Sequence, residues 1–133
     1  MPRNIGSLLV VEPINLVMTQ PEPKAALPEK DPFEVQAEFT RVMGNVVRLK
    51  ILHHLHGAQS AMSSAELLNL TGVSKTSLSQ HLSKMSSVGL IRTHYQGRYL
   101  MVELACPEIG MACDIVRGIL AKIALVQAAS FER

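Results

Sequence analysis

At residue 89 the apolar period of this chain changes from helical to alternating, and that change constrains most of what can form around it. Before it, residues 74–88 carry Leu78, Leu82 and Met85 at i, i+4 and i+7, the spacing of one helix face. After it, residues 90–95 (LIRTHY) alternate as a strand, Gln96-Gly97-Arg98 supplies a tight reversal, and residues 99–104 alternate again. That pattern reads as a β-hairpin. Just upstream, residues 65–70 read as a short helix, capped by Ser63 or Ser64 and closed by Gly72. The order is therefore helix (64–70), turn (Thr71-Gly72-Val73), helix (74–88), hairpin. Gly72 can take the sharp backbone angle of the turn, and Val73 is placed to plug the space between the helices.

The rest of the chain is helical punctuation around this unit. Asp31-Pro32 opens a helix as N-cap and first residue, and Gly44 stops it. Asn45 caps a second helix with Val46, Leu49, Ile51, Leu52 and Leu55 inward, ended by Gly57. The segment 107–128 carries Ile109, Cys113, Val116, Ile119, Leu120, Ile123 and Val126 in a stripe about three heptads long. That is longer than so small a core needs, so Ile109, Val116, Ile119, Leu120 and Ile123 are expected to form a homodimer interface. Apolar residues are 47% of the chain, aromatics 4%, and there is no Trp. A core of Leu, Ile, Val, Met and Ala suits packed helices, and the expected class is mainly α with one small hairpin. Five of the seven prolines fall in residues 1–31, read as an irregular tail or arm before a domain at 32–128.

Charge is divided along the chain. Residues 1–40 carry three basic against six acidic side chains, whereas residues 41–133 carry ten against five. A basic domain behind an acidic leader is compatible with a polyanionic partner. No apolar run approaches the roughly 18–20 residues that cross a bilayer, and two cysteines make no disulfide scaffold. The expected setting is cytoplasmic, with no membrane partner. There is no phosphate-cradling glycine loop, nucleophile elbow or metal-hydrolase spacing, so no enzyme and no cofactor is expected.

The outer face of helix 74–88 holds the chemistry. Ser74, Lys75, Thr76, Ser77, Ser79, Gln80, Ser83 and Lys84 supply two cations, short hydroxyls and an amide, without one carboxylate. An ordinary solvated helix would show Glu/Lys pairs at i,i+4. Hydroxyls and amides can bond phosphates or base edges without blocking close approach. Gln80 can bond adenine N6 and N7 together, and Lys75 and Lys84 suit phosphates. His81 reads as a residue at the core edge or bonding a phosphate. The hairpin adds Arg92, His94, Tyr95, Arg98 and Tyr99, grouped around its tip.

Residues 42–52 (VMGNVVRLKIL) resemble the entry segment of the ArsR/SmtB family, written L-x-x-x-R-L-x-I-L. Residues 73–85 (VSKTSLSQHLSKM), followed by Val88-Gly89-Leu90-Ile91, resemble its recognition helix and entry to the wing. The likeness runs over about residues 33–125. It implies a winged helix-turn-helix fold and a homodimeric repressor of an inverted-repeat DNA operator, released by a signal. It implies DNA contacts at Lys75, Thr76, Ser77, Ser79, Gln80 and Arg98. The alternatives are an inducer-independent regulator, or a winged-helix nucleoid or protein-interaction module.

The family's two metal sites are not matched. The helix before the turn has no Cys or His, and the last helix offers only Glu108 and Asp114, so no metal is expected. Cys106 and Cys113 are the candidate sensor of an oxidant, reactive sulfur or arsenite. Seven residues apart on a helix, they lie roughly 10 Å apart along the axis. A disulfide needs Cα atoms within about 7 Å, so the two cannot bond each other without unwinding near Pro107 or a partner subunit. Cys106, near the helix start, is expected to be the more reactive, and Cys113 can serve as a small apolar group. Where some relatives carry a second-helix cysteine, this chain has His53. His53, His54 and His56 form a cluster that no neighbouring carboxylate in the sequence completes.

Overall fold

The computed structural model describes residues 30–131. Of the proline-rich segment read as an arm, residues 1–29 lie outside the described residues. The elements run α1 (Pro32–Met43), α2 (Val46–Ala58), β1 (Met62–Ser63), α3 (Ser64–Thr71), α4 (Lys75–Ser87), β2 (Ile91–Gln96), β3 (Tyr99–Leu104) and α5 (Pro107–Phe131). The architecture is mainly α with a small antiparallel sheet of order β1-β3-β2.

Local chemistry sets most boundaries. The Phe33 amide donates to the Asp31 carboxylate at 2.9 Å, so α1 starts where Asp-Pro directs. The Asn45 side chain accepts from the Val47 and Arg48 amides and starts α2. Ser63, rather than Ser64, caps α3, in a reciprocal box with Glu66. Such a cap is worth about 1 kcal/mol. Gly89 (φ 87°) closes α4 in a left-handed turn, with the Leu90 amide donating to the Met85 carbonyl at 2.9 Å.

Val46 and Leu49, expected inward on α2, are exposed instead. The reading of the element pattern fails at two places. Gly57 does not end α2; the helix runs to Ala58, and Gln59 takes the left-handed cap (φ 54°) with its amide on the Leu55 carbonyl. Glycine permits a stop but does not impose one. The second miss is β1, which pairs Met62 with Val102 and Ser63 with Met101. Two residues show no alternation, so only the free edge of β3 reveals the strand.

Gln36–Arg133 is the unit that holds the core. Ile51, Leu52 and Leu55 of α2 meet Leu67 of α3, Leu78, Leu82 and Met85 of α4, and Leu90, Ile91 and Val102 of the hairpin. Ile109 and Cys113 bring the first turns of α5 into the same cluster. There Gly110 lets α5 approach α2: a Cβ at this position would stand 2.2 Å from His56 Nδ1 and 2.8 Å from His56 Cβ.

Candidate nucleic-acid interface

α3, its turn and α4 form the helix-turn-helix. Gly72 (φ 71°) turns the chain, its amide donating to the Leu68 carbonyl at 2.9 Å, and Val73 packs against the core. The Ser74 hydroxyl then accepts the Ser77 amide at 3.1 Å and starts α4. Because Leu78, Leu82 and Met85 are buried, the opposite face must look outward. Lys75, Thr76, Ser79, Gln80, Ser83 and Lys84 are exposed there, and Ser77 is half-buried. The fold brings these residues onto one surface, the arrangement expected from their spacing.

The hairpin stands beside that surface. Tyr99 pairs with Gln96 and Leu100 with Tyr95, which leaves Gly97 (φ 65°) and Arg98 as the two-residue reversal. The Arg98 guanidinium lies 5.8 Å from the Tyr99 ring centre, in cation–π range. Between α4 and the hairpin runs a groove of about 920 Å³, whose polar lining includes Lys75, Ser79, Ser83, Thr93 and Arg98. Arg92 is not at the tip. It faces Glu103 near the base of the hairpin, with Nε 3.8 Å from the carboxylate.

His81 turns inward from the same helix. Its Nδ1 accepts from Arg48 Nε at 3.0 Å. Burial, reinforced by the charges of Arg48 and Lys84, pushes its pKa down.

The sensor candidates separate. Cys106 is exposed just before α5, whereas Cys113 is buried, with Sγ 3.9 Å from Met43 Sδ. Burial pushes the Cys113 thiol up, so its reactive thiolate is suppressed. The histidine cluster also separates. The His53 and His54 rings meet edge-on at 5.7 Å, while His56 leaves them for Asp114, with Nε2 3.0 Å from Oδ2. A carboxylate does reach this cluster, from α5 and 58 residues away, and Arg117 pairs with its other oxygen. Among the described residues no group of three His, Cys, Asp or Glu side chains could hold a metal.

The long stripe of α5 divides as well. Ile109, expected on a dimer face, lies in the chain's own core because Gly110 draws these turns onto α2. Val116, Ile119, Leu120 and Ile123 are 46–57% exposed. Among the described residues no helix is long and apolar enough to cross a membrane.

Comparison with known proteins agrees with this geometry. Residues 43–94 match a family model described as a helix-turn-helix domain. The uncharacterized HTH-type transcriptional regulator MT0088 of Mycobacterium tuberculosis (strain CDC 1551 / Oshkosh) is 27% identical over 97 residues, 71% of this chain and 83% of that protein. The crystal structure of M. tuberculosis Rv0081 is similar with a TM-score of 0.67 at 25% identity, covering 74% of this chain and 99% of that one. The homodimeric winged helix-turn-helix DNA-binding domain of Mb0332 from Mycobacterium bovis, a possible ArsR-family transcriptional regulator, gives a TM-score of 0.63 at 18% identity, over 74% and 94% of the two chains. At that identity the likeness is one of fold. The winged helix-turn-helix fold expected from the sequence is borne out, and its solved neighbours include this possible ArsR-family regulator.

Proposed function

We propose that the chain, a DNA-binding transcriptional regulator of the winged helix-turn-helix type, is a homodimeric, sequence-specific repressor. Each subunit lays α4 in the major groove of an inverted-repeat operator and rests its hairpin on the flanking backbone. The observation that carries this is the outward face of α4. It is exposed, cationic and rich in hydroxyls, has no carboxylate, and is held by a buried leucine and methionine seam. A helix needs only a solvated face to be stable, and acids would serve that as well as lysine. Two-fold symmetry would space the half-sites about one helical turn, roughly 10 base pairs, or a multiple of it. The exposed stripe of α5 supplies a surface for the second copy, and the homodimeric state of Mb0332 supports that use.

The test is fluorescence anisotropy on duplex from upstream of the chain's own coding sequence, with a scrambled duplex as competitor. Selective binding is expected. Equal competition by the scrambled duplex would make this a sequence-blind nucleoid protein instead. Gln80→Ala is expected to lose about 1–3 kcal/mol of discrimination at one base position; an equal loss on every sequence would remove the base-reading role. Arg98→Ala should weaken binding on all sequences and flatten the salt slope by about 1. An unchanged slope would place the hairpin off the phosphates.

Release by a thiol-reactive signal falls to Cys106, the exposed cysteine. In the same assay, diamide, by joining the Cys106 thiols of two subunits as a disulfide, or arsenite, by bridging them, should release the wild type and not Cys106→Ser. Retention of binding by the treated wild type would leave both thiols without a sensory part and make the regulator inducer-independent at these positions.

A further inference from the structure

Arg48 is a buried cation, 8% exposed, on α2. A guanidinium does not deprotonate in a protein, so burial is tolerable only where its donors are used. Two of them are. Nη1 donates to the Val42 carbonyl at 2.8 Å, in the last turn of α1, where helix carbonyls lack intrahelical partners. Nε donates to His81 Nδ1 at 3.0 Å. One side chain thus joins the end of α1 and the body of α2 to α4.

The chemistry of the pair fixes the state of the histidine. Arg48 can only donate, so His81 Nδ1 must accept. The ring is therefore neutral and carries its proton on Nε2. The two ring nitrogens lie on opposite sides of the imidazole, so the Nε2–H is directed away from Arg48. His81 shares a ridge of α4 with Ser77 and Lys84, at i−4 and i+3, along the edge of the exposed face. The cations acting on the ring are Arg48 from α2 and Lys84 from α4.

We propose that Arg48 is a positioning residue for DNA recognition: through Nδ1 it holds His81 with its Nε2–H presented as a neutral donor to a DNA phosphate. This rests on the DNA-binding reading above. Arg48 itself touches no DNA; it acts only through the ring, by setting which ring nitrogen is available.

The first readout needs no DNA. In ¹⁵N NMR of the wild-type full chain, the His81 ring should carry its proton on Nε2 and stay neutral below the ordinary histidine value of about 6.5. A proton on Nδ1, or a charged ring at neutral pH, would overturn the proposal. The second readout is anisotropy on the upstream duplex. In His81→Asn the amide oxygen still accepts from Arg48, so the unfolding midpoint should hold while affinity falls about tenfold. The loss should be equal on native and scrambled duplexes. The salt slope should not change, because a neutral donor releases no counterion, whereas Lys84→Ala should flatten it by about 1. Arg48→Met should cost the same tenfold, and adding it to His81→Asn should cost nothing more. Should Arg48→Met not fold, the wild-type ring state and His81→Asn decide. Wild-type affinity in His81→Asn, beside weakened Lys84→Ala, would overturn the phosphate role alone. Full affinity in Lys84→Ala, His81→Asn and Gln80→Ala together would overturn the DNA reading with it.

Discussion

Aspartate at both Ile119 and Ile123 is expected to leave the protein monomeric and to lower its affinity for operator DNA by a hundredfold or more, the scale set by losing one of two linked contacts. The two residues are i,i+4 neighbours on α5 and are 50% and 46% exposed in the single chain. Their replacement therefore removes little from the chain's own core. In the proposed dimer they would be covered, each contributing roughly 1.5–3 kcal/mol by burial. A carboxylate in their place would have to be desolvated without a partner, which costs more than the lost contact. Sedimentation in the absence of DNA reads the first effect and anisotropy the second. Thermal unfolding should remain cooperative, because Ile51, Leu52, Leu67 and Val102 are untouched. A dimer of unchanged mass would show that this face of α5 is not the interface. A monomer that keeps full affinity would show that dimerisation is not needed to read DNA.

The second large effect is at Gly110, where an alanine should destabilise. In an ordinary helix interior Gly→Ala gains about 1 kcal/mol from propensity. Here the added Cβ would lie 2.2 Å from His56 Nδ1, 2.4 Å from Cγ and 2.8 Å from Cβ. A clash that reaches the root of the side chain cannot be relieved by swinging the ring aside, so α5 must lift from α2. Overpacking of this kind costs about 1–3 kcal/mol, which exceeds the propensity gain. The lift would also part His56 from Asp114. Urea unfolding should show a lower midpoint for Gly110→Ala, recovered only in part when His56→Ala is added, because alanine removes the ring and keeps the Cβ. A stabilised single variant would mean that the two helices have room to spare.

What could be read from the sequence was whatever is decided within a few residues. The caps at Asn45 and Ser74, the seam of Leu78, Leu82 and Met85, and the reversal at Gly97 are local in this sense, and all stand where the pattern placed them. The candidate face of α4 followed from the same seam, because fixing one side of a helix fixes the other. What escaped was decided by distant partners. Arg48 meets His81 across 33 residues, and His56 meets Asp114 across 58. Neither pair has a spacing that periodicity can register. Gly110 reads as a weak helix residue until the helix it lies against is known. Arg92 looked like part of the hairpin tip because charge type was visible but strand register was not. Ile109 looked like an interface residue because an apolar stripe does not record where its own core ends.

The two-residue strand β1 has a mechanical meaning. Ser63 is at once a partner of Met101 in the sheet and the N-cap of α3. The hairpin is therefore riveted to the first residue of the helix-turn-helix, and Leu90 and Ile91 clamp its other root in the core. In the proposed complex α4 and Arg98 would then act as two prongs of one caliper rather than a helix and a swinging flap. A caliper reads width. Within each half-site of the proposed operator, such a protein would reject a duplex whose backbone lies at the wrong distance from the groove, even where every base it touches is correct.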